Sequence, residues 1–148
     1  MPSNATTGAS LTFRLDVDDG WPPVAAEVIP CIREAAGYRI GAAPFFVKGL
    51  SVGDVIEIVD EENGQVWAWK HVSKSGHSTV WAGRIGDTDV RAELDWLMDC
   101  GGRVEAFPDG RMFALDVPPS IDAASFDAHF GGFSDTELAL AYPSWRHD

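Results

Sequence analysis

Two runs of alternating apolar and polar residues, 55–59 and 65–72, flank Glu61-Glu62-Asn63-Gly64, and this pairing constrains the chain more than any other feature. An Asn-Gly pair tolerates the positive φ angles of a tight hairpin turn, so the two runs are predicted to be adjacent antiparallel strands. Residues 11–18 alternate in the same way and stop at Asp18-Asp19-Gly20 and Pro22-Pro23, which makes them a first strand. Residues 78–85 read as a further strand beside the hairpin. Residues 24–40 carry helix-favouring Ala and Glu, yet Pro30 would break the middle of a helix and Gly37 sits near its end. The expectation for this half is a meander of five or six short strands that curls into a small, partly open barrel.

After Gly86 the period changes. Val90, Leu94, Leu97 and Met98 recur at helical spacing over residues 89–100, and Gly101-Gly102 supplies a left-handed stop. Residues 103–107 and 112–117 read as strands around the turn Pro108-Asp109-Gly110. Ser120 is placed to cap a short helix carrying Ile121, Ala124 and Phe126, and Ser134-Asp135-Thr136-Glu137 has the form of a capping box, which predicts a last helix ending before Pro143. The predicted fold class is therefore α+β. A small N-terminal antiparallel β-barrel-like meander packs on a C-terminal ferredoxin-like βαββα lobe that lacks a final strand. The expected division is a disordered leader over 1–10, a β-rich lobe over 11–85 and an acidic α+β lobe over 86–148, the two lobes sharing one core.

Charge is unevenly spread. Ten acids oppose seven bases in residues 1–85, whereas thirteen oppose four in residues 86–148, so the second part carries −9 of the net −12. Such a balance argues against nucleic acid as a partner, because phosphate binding needs Lys and Arg to displace counterions. The sequence has no apolar run of about 18 residues, so a membrane is not expected as a partner either. Cys31 and Cys100 are far apart and fit neither a disulfide framework nor a metal-ligand spacing. With a leader that has neither a basic start nor an apolar core, the expected setting is the cytoplasm.

Three patches carry a resemblance: Asp-Asp-Gly-Trp-Pro-Pro at 18–23, Pro44-Phe45-Phe46 leading to Gly49 and Gly53-Asp54-Val55, and Ser75-Gly76-His77-Ser78-Thr79. Over residues 11–117 the chain resembles the DUF4265 family of uncharacterised bacterial proteins. The resemblance implies that residues 24–40 are two strands joined near residues 35–37. Two departures from the family pattern remove polar groups: Ala42-Ala43-Pro44 stands where Asn-Ile-Pro is common, and Trp81 and Ala82 occupy the place of a frequent arginine.

Polar candidates cluster in the Ser75–Thr79 stretch. Short polar side chains and free backbone N–H groups in a turn can make an anion nest, or His77 can act as a general base on Ser75 or a bound molecule. The competing reading is a structural turn in which the hydroxyls cap loose backbone groups. Asp54 can form a carboxylate pair with Asp18 or Asp19, or can simply accept local N–H bonds at a strand entrance. No H-E-x-x-H, P-loop or G-x-G-x-x-G pattern is present, so no catalytic residue is assigned unless His77, Ser75 and Asp54 serve. A two-histidine metal site at His71 and His77 stays open as an alternative, but no metal ligand is assigned; of the other two histidines, His129 and His147, the latter is assigned to a tail, and no cofactor is implied. Trp67 and Trp69 are expected on one face of their strand, with Phe45 and Phe46 before the glycine turn, filling a core or opening an aromatic pocket.

On the helix over 89–100, Trp96 falls on the face of Asp89, Ala92, Glu93 and Asp99, opposite the apolar stripe. It is either a plug between the lobes or a recognition anchor ringed by acids. The preferred expectation is a non-catalytic acidic binding protein, an inhibitor, immunity-type or regulatory partner that recognises a basic protein surface through Trp96, Asp89, Glu93 and Asp99. The alternative is a small-molecule binder or small enzyme whose pocket joins Trp67, Trp69 and Phe46 to Ser75, His77 and Thr79.

Overall fold

The computed structural model describes residues 7–147, which divide between Ser75 and Gly76 into two units. In the first unit, β1 (Thr7–Arg14) pairs antiparallel with β2 (Ala26–Glu34), placing Leu11 opposite Ile29 and Phe13 opposite Glu27. Strands β3 (Gly37–Ile40), β4 (Val55–Glu62) and β5 (Gln65–Ser73) continue the meander, and a parallel contact of Phe13 with Val66 closes β5 onto β1. The result is a closed barrel of five strands. Leu11, Phe13, Ile29, Cys31, Ile40, Leu50 and Ile56 are among the residues that fill it, the inward set that a period of two requires.

Residues 24–40 hold two strands, β2 and β3, joined by a turn at Ala35-Ala36, as the family resemblance implies. Pro30 lies exposed in β2 opposite Ser10 and its carbonyl accepts from the Gly41 N–H. Asn63 (φ 54°) and Gly64 (φ 77°) form the predicted left-handed turn between β4 and β5. The disordered leader does not extend to residue 10, because β1 begins at Thr7 and pairs there with Arg33; residues 1–6 of the expected leader lie outside those described.

The second unit contains β6 (Ser78–Arg84), α1 (Arg91–Asp99), β7 (Arg103–Ala106), β8 (Met112–Val117), α2 (Ala123–Phe130) and β9 (Leu138–Ser144). The sheet order is β7-β8-β6-β9, with every neighbouring pair antiparallel. Three expectations are corrected here. The strand over 78–85 is β6, which pairs with β8 and β9 and not with the barrel, so the division falls ten residues earlier than residue 85. The helix cap is Asp122, whose carboxylate accepts from the Ser125 N–H at 2.7 Å, and not Ser120. The last helix is absent: the capping box closes a single turn, with Ser134 N–H donating to Glu137 and Glu137 N–H to the Ser134 carbonyl, and the chain then enters β9.

Tertiary pairing decides that last outcome. Leu138 is buried and pairs with Arg84, and Ala139 and Leu140 continue beside Gly83 and Ala82 along an edge of β6 that would otherwise be open. A second buried cluster, including Val80, Leu97, Leu115, Val117, Phe126 and Phe130, lies within this unit, so there are two apolar clusters where one was expected. Among the described residues no helix is long and apolar enough to cross a membrane.

Gly37, which opens β3, has φ 153°, and a Cβ on it would overlap the Ile56 carbonyl of β4. Gly37→Ala is therefore expected to lower the unfolding free energy by well over ~1 kcal/mol, since neither the backbone angle nor the space admits a methyl. Gly132→Ala, with nothing within 4 Å, is the control expected to stay near wild type in urea melts.

Candidate functional site

The glycine turn after Pro44-Phe45-Phe46 ends at Gly53 (φ 87°) and delivers Asp54 to the entrance of β4, where its side chain is fully buried. One carboxylate oxygen accepts the Ser51 N–H at 3.0 Å and lies 2.9 Å from His71 Nε2, and the other accepts the Ser75 N–H at 2.8 Å. Ser75 Oγ donates to the Val52 carbonyl at 2.5 Å. Asp54 thus ties the loop before β4, the middle of β5 and the chain leaving β5 to one another. Asp18 and Asp19 are exposed in their turn, with Asp18 bridged to Trp21, so Asp54 takes His71 and backbone amides as partners in place of a second acid.

Glu27 was not singled out by sequence, although it shares the strand parity of the core residues Ile29 and Cys31. Its carboxylate accepts from Phe45 N–H at 2.5 Å and Phe46 N–H at 2.9 Å, pinning the aromatic pair. Burial pushes its pKa up, and the backbone N–H bonds of Phe45, Phe46 and Val47 oppose that rise. Phe46 meets Trp21 edge-on at 5.8 Å. The two tryptophans of β5 do not share an environment. A register shift between Asp60 and Glu61 leaves Trp67 as an extra residue, exposed beneath the Arg14 guanidinium at 4.0 Å, while Trp69 packs edge-on to Phe13 and to His71.

The Ser75–Thr79 stretch is split by the division of the chain. Ser75 belongs to the first unit, while His77 and Thr79 belong to the second. Thr79 is fully buried in β6, and so is Ser78, so these hydroxyls are turned into the unit and not toward a ligand. His77 is 27% exposed, and its Nδ1 lies 2.7 Å from Asp116, which is buried on β8. Burial raises the Asp116 pKa, against the opposing pull of His77, Arg103 and His147. His147, expected in a tail, is instead fixed: Nε2 lies 2.9 Å from the Pro118 carbonyl and Nδ1 2.6 Å from Ser78 Oγ, which also accepts the Arg146 N–H at 2.6 Å. A proton on Nε2 satisfies the carbonyl and leaves Nδ1 to accept the Ser78 hydroxyl proton. Residue 147 is held because β9 carries the chain back along β6.

On α1, Val90 and Leu97 are buried and Leu94 is half-buried, but Met98 is 47% exposed. Trp96 is half-buried. Its indole stacks on His129 of α2 at 3.8 Å and 10°, and reaches Phe130 at 6.4 Å. Asp89 and Asp99 are exposed and Glu93 is half-buried, and the Arg91 guanidinium beside Asp89 pulls its carboxyl down to about 2. Trp96 is therefore a partly covered ring held by its neighbouring helix, and not a freely projecting one. The concavities of this unit include two of similar size. One of about 510 Å³ is lined by Arg84, Asp87, Asp89, Arg91, Leu94 and Phe113, together with Val90. The other, of about 470 Å³, is lined by Ala123, Phe126 and Asp127 of α2 and by Tyr142 and Trp145 at the end of β9. Tyr142 and Trp145 escape a sequence reading that ends the chain in a helix. Among the described residues no group of three or more His, Cys, Asp or Glu is arranged to hold a metal ion.

The model of a domain of unknown function, DUF4265, matches residues 29–139. The chain belongs to the DUF4265 family. A solved structure, that of a hypothetical protein from Neisseria gonorrhoeae, superposes with a TM-score of 0.70 at 13% identity and covers 97% of each chain, a likeness of fold. No protein of curated function matches. The DUF4265 match includes both buried Asp–His pairs, Asp54–His71 and Asp116–His77, and stops before Tyr142, Trp145 and His147.

Asp54→Ala leaves two backbone N–H groups and His71 without their acceptor. It should cost about 3–5 kcal/mol of stability in denaturant melts, whereas truncating exposed Glu57, paired with Lys70 at the surface, should cost under ~1 kcal/mol. Asp116 gives a pH test. A carboxyl whose pKa is raised in the folded state contributes stability below its unfolded pKa of roughly 3.9 and loses it as pH rises through the folded value. Removing His77 raises that value further, so His77→Ala should destabilise by about 1–3 kcal/mol at neutral pH and distinctly less near pH ~4. Equal losses at the two pH values would contradict the assignment.

Proposed function

We propose that this protein is a non-catalytic, acidic binding protein whose second unit recognises a basic protein surface. The observation that carries this reading is the distribution of charge: residues 76–148 hold thirteen Asp and Glu against five Arg, and Asp87, Asp95, Asp99, Asp109, Asp127 and Asp135 are exposed. Asp89 meets Arg91 at 2.9 Å, and Asp116 is committed to His77, but five arginines cannot neutralise this many carboxylates. An acidic surface of this kind speeds encounter with a positively charged partner and rejects negatively charged ones. Asp95 precedes Trp96 on α1 and Asp99 follows it by three residues, so attraction and an aromatic contact lie on one helix. The element order and the sheet order of the second unit support a ferredoxin-like reading in which β9 is the closing strand. The free thiols of Cys31 and Cys100 support a reducing cytoplasm.

His77 favours a second reading, that of a small-molecule binder or enzyme. A partly exposed imidazole oriented by a buried carboxylate is the arrangement of a general base. Ser78 does not supply a nucleophile there, because its hydroxyl is fully buried.

Titration against a panel of basic proteins at low and high salt separates these readings. Binding is expected to weaken at least tenfold as salt is raised, and the double change Asp95→Lys and Asp99→Lys should weaken it similarly without altering the melting temperature. Affinity indifferent to both would remove the electrostatic reading, and turnover or ligand binding abolished by His77→Ala would favour the second.

A further inference from the structure

The walls of the concavity between α2 and β9 have a chemistry of their own. Tyr142 and Trp145 meet nearly at right angles, 81° with centroids 5.2 Å apart, and Phe126 lies 5.8 Å from Trp145 at 53°, so rings in different orientations bound the space. Phe126 is buried and forms a fixed floor, with its ring stacked 4.7 Å from Phe130 inside the apolar cluster. Among the described residues the charged group in the lining is Asp127, exposed on α2, where position 127 follows Phe126 and lies four residues after Ala123, so both of its lining neighbours come from the same helix. Its field already reaches the opposite wall: the Tyr142 hydroxyl holds its proton more tightly than usual, first through burial and then through the Asp127 charge.

Aromatic faces attract cations through the ring quadrupole, and a carboxylate beside them selects for positive charge over an apolar occupant. The planar guanidinium suits this combination better than an ammonium, because it stacks on a ring and offers paired donors to a carboxylate at the same time. The first unit shows the stacking half of that contact within this chain, where Arg14 lies over Trp67 at 4.0 Å. A volume of about 470 Å³ is ample for one such side chain.

We propose that the concavity formed by Phe126, Asp127, Tyr142 and Trp145 binds an arginine side chain presented by a basic protein partner. This rests on the acidic-binding reading above and adds an anchor to it. General attraction would bring a basic surface to the second unit, and the pocket would give one arginine a fixed seat, as a desolvated aromatic contact does at the centre of an interface.

The test uses the full chain and three blocked peptides that differ at one central position: arginine, its uncharged isostere citrulline, and lysine. Binding is followed through the indole N–H resonance of Trp145, assigned by its loss in Trp145→Phe. The arginine peptide is expected to shift that resonance and to bind at least tenfold more tightly than the citrulline peptide and severalfold more tightly than the lysine peptide. Asp127→Asn changes an exposed side chain on a helix held by other contacts, and it should abolish the preference for arginine over citrulline while leaving the melting temperature unchanged. Equal binding of the three peptides, or an unmoved Trp145 resonance, overturns the proposal. So does an Asp127→Asn protein that still prefers arginine. If the pocket fails in this way while the Asp95→Lys and Asp99→Lys protein still loses salt-sensitive affinity for basic proteins, the acidic-binding reading survives alone. If neither responds, both fall.

Discussion

A carboxylate removed from water must be met by donors, and each unit of this protein is arranged around one that is. The effective penalty for an ion in a protein interior is several kcal/mol, so a buried Asp persists only where the chain supplies its partners in the right places. Asp54 draws its donors from Ser51, His71 and Ser75, three stretches separated in sequence but adjacent at the entrance of β4. That requirement fixes how the loop enters β4 and how the chain leaves β5. The glycines at 49 and 53, both at positive φ, follow from it, because a loop that must return its amide at Ser51 to the side chain at Asp54 has to turn sharply.

Asp116 plays the corresponding part in the second unit, with a different consequence. Its partner His77 stands at the start of β6, and the neighbouring Ser78 is bound by the backbone of Arg146 and by His147. The first strand of the unit and the last residues of the described chain therefore meet through polar groups at one end of the sheet. Apolar packing alone would allow β9 to slide along β6. Directional bonds to a buried hydroxyl do not, and they set the position of Trp145 between Ser144 and Arg146.

How much of this was legible from residues depends on whether the deciding contacts are local. The hairpin at Asn63-Gly64 was legible because turn chemistry and alternation sit within one stretch, and α1 because its buried side chains repeat at helical spacing. The β9 strand was not. Ser134 and Glu137 do interact as a capping box does, but one local turn cannot outweigh strand pairing with β6, which is specified by residues far back in the chain, as Leu138 with Arg84 shows. Glu27 was missed for a similar reason. Its parity with Ile29 and Cys31 placed a charge on an inward face, which reads as a flaw in the alternation until the amides of Phe45 and Phe46 are seen to receive it. The expected pairing of Trp67 with Trp69 failed on a register shift, which exchanges faces within a single residue and leaves little trace in composition.

The same distinction bears on function. The excess of carboxylates after residue 86 was visible at once, because charge is counted without knowing the fold, but charge alone gives attraction without a seat. Seats come from tertiary structure: β9 brings Tyr142 and Trp145 beside Phe126 and Asp127, and α2 presses His129 against Trp96. Both are aromatic positions backed by a helix and bordered by acids, and they differ in what is left open. The stacked His129 already covers a face of Trp96. The rings around Asp127 still bound a space. If the second unit meets a basic surface, long-range attraction is shared by all its exposed carboxylates, whereas selectivity among basic surfaces has to come from the few places where a cation can lose its water and still be satisfied. On this molecule the pocket beside Asp127 meets that condition better than the Trp96 face does.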